Sequence, residues 1–213
     1  MDSAQISDFE TNVDTAVIEE LLASLSPRRR EHSISTATVA AKLCGRFDLD
    51  PQKGRVAGLI HDSMKERELS EQWRLAAKAK EAMPNSFVPR AIEEFEENRD
   101  YGSKMIHGPA AAGYLCWYKA WTDMDVLEAV ALHSSAFTHM KPLCKIVYIA
   151  DKLEPLREYV GAAEASALET EDLEDLFAYA VSHVVEYLHG KGYRIAQSTL
   201  DLYNSLTTKK ARA

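Results

Sequence analysis

The sequence predicts an all-α protein folded as a single helical domain. Apolar residues recur at spacings of three and four along most of the chain, glycine and proline are sparse (9 and 7 of 213 residues), and no stretch alternates apolar with polar residues as a half-buried strand would. A hydrophobic content of 46% is ample for one large core. Helices are expected near residues 5–24, 28–46, 51–63, 70–81, 89–98, 109–119, 123–134, 141–152, 170–189 and 198–207. They group into an N-terminal helix within 1–26, a core over 27–160, C-terminal helices of the same domain over 161–208 and a frayed tail over 209–213.

The first segment is acidic and amphipathic. In the second, His32, Thr36, Val39, Ala40, Leu43 and Phe47 form one inward stripe with His32 at its end. The third carries the apolar run Val56-Ala57-Gly58-Leu59-Ile60 and ends on His61-Asp62. Between Met83 and Gly102 regularity weakens, because Pro84, Asn85 and Pro89 precede the acidic tract Glu93-Glu94-Phe95-Glu96-Glu97, which reads as a solvated helix face. Pro109 just inside one start and Asp123 before another are helix-opening signals. Val126, Val130 and His133 share a face of the following helix. Leu143, Ile146, Val147 and Ala150 then place Asp151 on an apolar face, where a carboxylate needs a cation, a donor network or a metal. The last two helices rest on apolar recurrence alone.

Composition narrows the function classes. No apolar run approaches the roughly 20 residues that cross a bilayer, and the N-terminus is unlike a secretory signal, so the chain is expected in the cytoplasm and off the membrane. Cys44, Cys116 and Cys144 are odd in number and widely spaced, which reads as core thiols rather than a disulfide framework or zinc site. A net charge of −8 argues against nucleic-acid binding but leaves room for a small anion met locally by metal ions.

Imidazoles and carboxylates are the ligands of first-row metals, and one carboxylate can bridge two ions. His32, His61, Asp62, His107, His133 and Asp151 are therefore the candidate metal ligands. A lone His-Asp pair is close to what composition supplies by chance. A lone histidine beside an apolar stripe is more often a hydrogen-bonded core residue, and His107 before Gly108-Pro109 has a helix-capping reading. His139, His183 and His189 fit no pattern and read as surface or packing residues.

The order His32, His61-Asp62, Asp151 resembles the HD-domain superfamily of metal-dependent phosphohydrolases. The stretches Arg30-Glu31-His32-Ser33, Ala57 to Lys65, His107-Gly108-Pro109-Ala110 and Lys145 to Arg157 are similar to its bacterial YqeK-type branch, whose members are symmetrical diadenosine tetraphosphate hydrolases. The likeness runs from about residue 10 to 205 and includes Glu186-Tyr187-Leu188 before Gly192. One departure is Ser134-Ser135-Ala136-Phe137 after His133, where the family continues with two Thr, a Gly and often an Arg; a phosphate-binding Arg is lost. The acidic stretch before Tyr101 is also longer than usual.

The resemblance implies an HD-domain helical bundle and a dinuclear site. His32, His61, Asp62 and Asp151 would hold one ion, with Asp62 bridging to a second held by His107 and His133. The implied metal is iron, although the ligands would also take manganese, cobalt, nickel or zinc. Asp62 and Lys65 are the candidate catalytic residues. Lys65 has a bland reading as a charge complementing a helix C-terminus; the family's HDxxK pattern favours contact with phosphate. Arg157 is a candidate phosphate clamp through its planar fork, Glu154 a partner that orients that Arg or accepts a ribose hydroxyl, and Arg30 a cation close enough to His32 to reach the cleft. Arg28-Arg29-Arg30 also reads as a solvated helix start. The implied reaction is attack of a metal-activated hydroxide in the middle of a dinucleoside polyphosphate, giving two ADP from diadenosine tetraphosphate, in a possible homodimer. The alternatives are another HD-type phosphohydrolase acting on a nucleoside monophosphate, deoxynucleoside triphosphate or alarmone, a non-catalytic metal-bearing nucleotide sensor, and a helical scaffold.

Overall fold

The computed structural model describes residues 15–210, and among them the chain forms twelve helices and no strand. They are α1 (Thr15–Ala23), α2 (Pro27–Arg46), α3 (Pro51–Ile60), α4 (Leu69–Ala82), α5 (Val88–Glu97), α6 (Arg99–Met105), α7 (His107–Tyr118), α8 (Met124–Leu132), α9 (Pro142–Leu153), α10 (Ala162–Ala167), α11 (Leu173–Gly190) and α12 (Gln197–Lys210). The expected all-α class holds. Residues 5–14 of the first expected helix and 211–213 of the expected tail lie outside the described residues, and α12 continues through Lys210, two residues into the segment expected to fray.

Helix starts follow local chemistry. Asp50 accepts from the Gln52 amide (2.8 Å) ahead of Pro51, and Asp123 accepts from the amides of Asp125 and Val126 (both 3.2 Å). Asp172 accepts from Asp175 (2.9 Å).

Two short helices, α6 and α10, stand in stretches that read as breaks, because seven and six residues are too few to display a period. α3 ends at Ile60 rather than at residue 63. The His61 ring takes the Gly58 carbonyl (2.7 Å), the acceptor that a further turn would have given to the Asp62 amide. The chain then tightens into bonds from Ser63 to Ile60 (3.0 Å) and from Lys65 to Asp62 (2.9 Å).

α8 and α9 form the centre and are buried almost all round, through Leu127, Val130, Ile146, Val147 and Ile149. α2 and α3 pack on one side of them, α7 on another with α4 behind it, and α11 against α9. α2 and α3 cross with their backbones nearly touching: a Cβ on Gly58 would stand 2.5 Å from the Ala37 Cα. This contact brings the start of α2 beside the end of α3. Cys44 and Cys144 are buried as expected, whereas Cys116 is only partly so. Among the described residues no helix is long and apolar enough to cross a membrane.

Candidate metal centre

Five helix ends converge on one point. α2 supplies His32 from its second turn, α3 delivers His61 and Asp62 just past its C-terminus, α7 opens on His107, α8 is followed by His133, and the last turn of α9 presents Asp151. All six candidate ligands are at most 9% exposed. α3 and α8 both point their C-termini, the negative ends of their dipoles, at this point, which favours a cation there.

The imidazoles are aimed by their Nδ1 atoms. His61 Nδ1 donates to the Gly58 carbonyl and His133 Nδ1 to the Val130 carbonyl, each three residues back and each at 2.7 Å. In the neutral ring this leaves Nε2 as a bare lone pair facing the centre. His32 Nδ1 lies 2.9 Å from Glu154 Oε1, so its Nε2 also faces inward, 3.1 Å from His61 Nε2 and 3.1 Å from Asp151 Oδ1. Gly108 allows α7 to meet the end of α8, since a Cβ there would lie 2.9 Å from the Val130 carbonyl oxygen and 3.0 Å from the His133 ring.

The two oxygens of Asp62 face different partners. Oδ2 lies 3.8 Å from His61 Nε2 and 3.9 Å from His32 Nε2, whereas Oδ1 lies 2.9 Å from His107 Nε2 and 3.7 Å from His133 Nε2. Two sets of donors, His32–His61–Asp151 and His61–Asp62–His133, each bring their ligand atoms within 4.8 Å of one another. This donor set fits a metal: inward imidazole lone pairs and carboxylates meet in one buried place. HD domains bind divalent metals, and His32, His61, Asp62, His133 and Asp151 form a His/Asp cluster that could hold one.

His107 stands slightly apart. Its Nε2 is 3.0 Å from His133 Nε2, but its Nδ1 accepts from the Lys65 ammonium (3.0 Å), which also donates to the Lys104 carbonyl (2.6 Å). Burial, and next the Lys65 charge, lower its pKa to about 4. Burial and the neighbouring imidazoles hold His133 well below the ordinary range too. Lys65 itself is brought down to about 8, chiefly by burial. Burial raises both carboxylates, yet it is overridden. The imidazoles of His61, His107 and His133 hold Asp62 well below the usual range, and Lys152, Arg157 and His32 do the same for Asp151. His32 moves the other way: burial lowers it, but bonds to Asp151 and Glu154 raise it overall.

On the open side a cleft of about 690 Å3 reaches His32. Arg157 enters from it, donating to the Asp151 carboxylate and, through Nε, to the Asp151 carbonyl (2.8 Å). The expected entry of Arg30 is corrected. Arg30 is exposed on the flank of α2, and its neighbour Arg29 reaches Asp62, because three residues before His32 is the same helix face and two residues before is not. Glu154 also differs from expectation. It is 1% exposed, with one oxygen on His32 and the other accepting the Leu156 amide (2.8 Å), and lies 3.9 Å from the Arg157 Nε. That placement serves the His32 ring rather than a ribose hydroxyl. Lys152, which holds Asp151 Oδ2 at 2.6 Å, and the cleft tyrosines Tyr159 and Tyr187 were not singled out by sequence spacing.

Comparison with known proteins agrees with this geometry. A family model described as HD domain matches residues 29–156, a span holding all six candidate ligands. The symmetrical bis(5'-nucleosyl)-tetraphosphatase of Bacillus subtilis (strain 168) is 29% identical over 89% of this chain and 97% of its own. The protein of the same description from Halalkalibacterium halodurans is 28% identical over 85% of this chain and 90% of its own. A crystal structure described as a predicted HD superfamily hydrolase involved in NAD metabolism, from Clostridium acetobutylicum, superposes with a TM-score of 0.74 and 27% identity, covering 92% of this chain and 98% of that one.

Proposed function

The chain belongs to the HD-domain family, and on that premise we propose that it hydrolyses dinucleoside polyphosphates, diadenosine tetraphosphate plus water giving two ADP. The observation that carries this reading is Asp62, whose two oxygens address two separate sets of imidazoles beside a cleft that Arg29 and Arg157 enter. Its support for the substrate is the name borne by relatives that cover nearly the whole chain.

His32, His61, Asp62 and Asp151 would hold one ion, and Asp62 with His107 and His133 a second. Iron is assigned first, on the family likeness; the mixed nitrogen and oxygen donors also suit manganese, cobalt, nickel or zinc. Such a pair, when bound, makes water nucleophilic at neutral pH and offsets charge on the phosphoryl oxygens.

The chain's own residues do the rest. Asp62 and Asp151 stay ionised. Glu154 fixes the ring of His32. Arg157 and Arg29 lie where a polyphosphate entering the cleft would meet two guanidinium forks. Lys65 would place its ammonium on a phosphoryl oxygen as charge develops there. A homodimer is part of the proposal and is read by light scattering.

Product chromatography tests the reaction. Diadenosine tetraphosphate should yield ADP alone; ATP and AMP in equal amounts, or no turnover by protein loaded with iron or manganese, would overturn it.

A further inference from the structure

The cleft beside His32 has two kinds of wall. One part presents the guanidinium groups of Arg29 and Arg157, set among Arg28, Glu31, Glu66, Glu154 and Glu158; another is aromatic, through Tyr159 and Tyr187. The two tyrosine rings lie 4.6 Å apart at 34°. Behind them the stacking continues, with His183 5.5 Å from Tyr159 and Tyr179 6.1 Å from His183. Tyr179, His183 and Tyr187 are four residues apart on α11 and so share one face, while Tyr159 leans across from the segment after α9.

This ladder is anchored at the end away from the cleft. Glu164, 8% exposed in α10, accepts from the Tyr179 hydroxyl (3.2 Å) and the Gly161 amide (2.7 Å), and lies 3.3 Å from His183 Nδ1. α10, the short helix that sequence periodicity missed, thus fixes one end of an aromatic row whose other end opens on the cleft. Aromatic pairs that fill the core look different here: Tyr148 and Phe177 pack edge to face and are 1% and 3% exposed. Tyr159 and Tyr187 are half-buried and keep surface free. Leu156, 58% exposed, adds an apolar edge to the same cleft.

A ligand that engages the two guanidinium forks beside the cluster carboxylates and the aromatic surface of the same cleft is anionic at one end and flat and π-faced at the other. A volume of about 690 Å3 suits one nucleotide unit. We propose that Tyr187 and Tyr159 are the stacking platform for one nucleobase of the substrate, with its phosphates running past Arg29 and Arg157 to the His–Asp cluster. The inference rests on the nucleotide reading above and names its specificity-determining residues, giving a physical role to Tyr187 in the Glu186-Tyr187-Leu188 motif. Stacking on a tyrosine tolerates any base, so the platform sets affinity for nucleosides over bare polyphosphate rather than a choice among bases.

The test is calorimetric binding of ADP and of inorganic pyrophosphate to metal-loaded protein, so that its outcome does not depend on turnover. Tyr187→Ala should weaken ADP about 10-fold or more and leave pyrophosphate unchanged. Tyr187→Phe should bind ADP like the parent, and Tyr187→Leu, which keeps volume without a π face, should behave like the alanine variant. Melting temperature and metal content identify any variant that fails to fold, and the leucine variant then carries the comparison. Unchanged ADP affinity in Tyr187→Leu, or equal loss for ADP and pyrophosphate, would overturn the platform. Parent protein that binds ADP in a Tyr187-dependent way yet leaves diadenosine tetraphosphate intact would retain the platform and sink the proposed reaction.

Discussion

The inner and outer sides of the metal centre hold their groups by different means. On the inner side His61 and His133 are fully buried and fixed through Nδ1 to carbonyls of their own helices. On the cleft side Arg29 and Arg157 arrive on long side chains, 29% and 31% exposed, and meet the same carboxylates from solvent. Main-chain geometry therefore sets the ligand positions to a fraction of an ångström. The cations on the rim can follow a substrate as it enters, which is what a polyphosphate of variable shape requires.

Asp62 touches both sides, so Asp62→Ala should have the largest effect. Most bound metal and nearly all turnover should disappear together, as read by elemental analysis and ADP release; full metal with normal turnover would break the contrast between the two sides. Lys65 stands at the border. Lys65→Ala should keep the metal held by His32, His61 and Asp151 yet slow turnover by about 2.7 to 4 kcal/mol of transition-state stabilisation, the worth of one well-placed donor. Loss of that metal would show Lys65 to be part of the inner side, acting through His107.

His32 is the imidazole aimed by a carboxylate. Glu154→Gln should weaken metal binding about 10- to 100-fold, measured by competition with a chelator, and unchanged affinity would show that the ring is held by packing alone.

The smallest effect separates the sides by proton linkage in metal-stripped protein. His107 (about 4) and His133 have folded pKa values below their unfolded value of about 6.5, so between those values the unfolded chain holds more protons and stability falls as pH falls. His32, raised, contributes in the opposite sense, with stability present at low pH and lost above its folded pKa, and offsets part of theirs. Asp62 and Asp151, held low, add losses only below about pH 4. The unfolding free energy from urea titration should therefore drop from pH 7 to pH 5 by about 1 to 2 kcal/mol, and the midpoint with it. An equal or higher midpoint at pH 5 would mean that the inner histidines are charged in the fold.

Legibility in the sequence divides along the same line. His32, His61-Asp62, His133 and Asp151 could be singled out because they stand on or at the end of apolar helical stretches, and His107 through the resemblance of His107-Gly108-Pro109-Ala110; the structure brings all six together. Rim residues carry no such mark. Arg29 and Arg30 are alike in composition, and only the three-residue step to His32 distinguishes them. Glu154 meets His32 across 122 positions, a contact no local pattern encodes. Tyr159 and Tyr187 are spaced like core aromatics, and what differs is surface left free, a property of the assembled fold. α3 ends early because a side chain competes with the main chain for Gly58, which periodicity does not register.

That competition bears on heredity. The acceptors for His61 and His133 are peptide carbonyls, so no loss of a side chain at positions 58 or 130 would remove them, although position 58 must stay glycine for α2 and α3 to cross. The acceptor for His32 is a side chain, at position 154. His61 and His133 thus lack a side-chain partner at Nδ1, whereas His32 has one in Glu154 and His107 one in Lys65. In descendants of this chain, positions 32 and 154 should be lost or kept together, while 61 and 133 change independently of the residues that supply their acceptors.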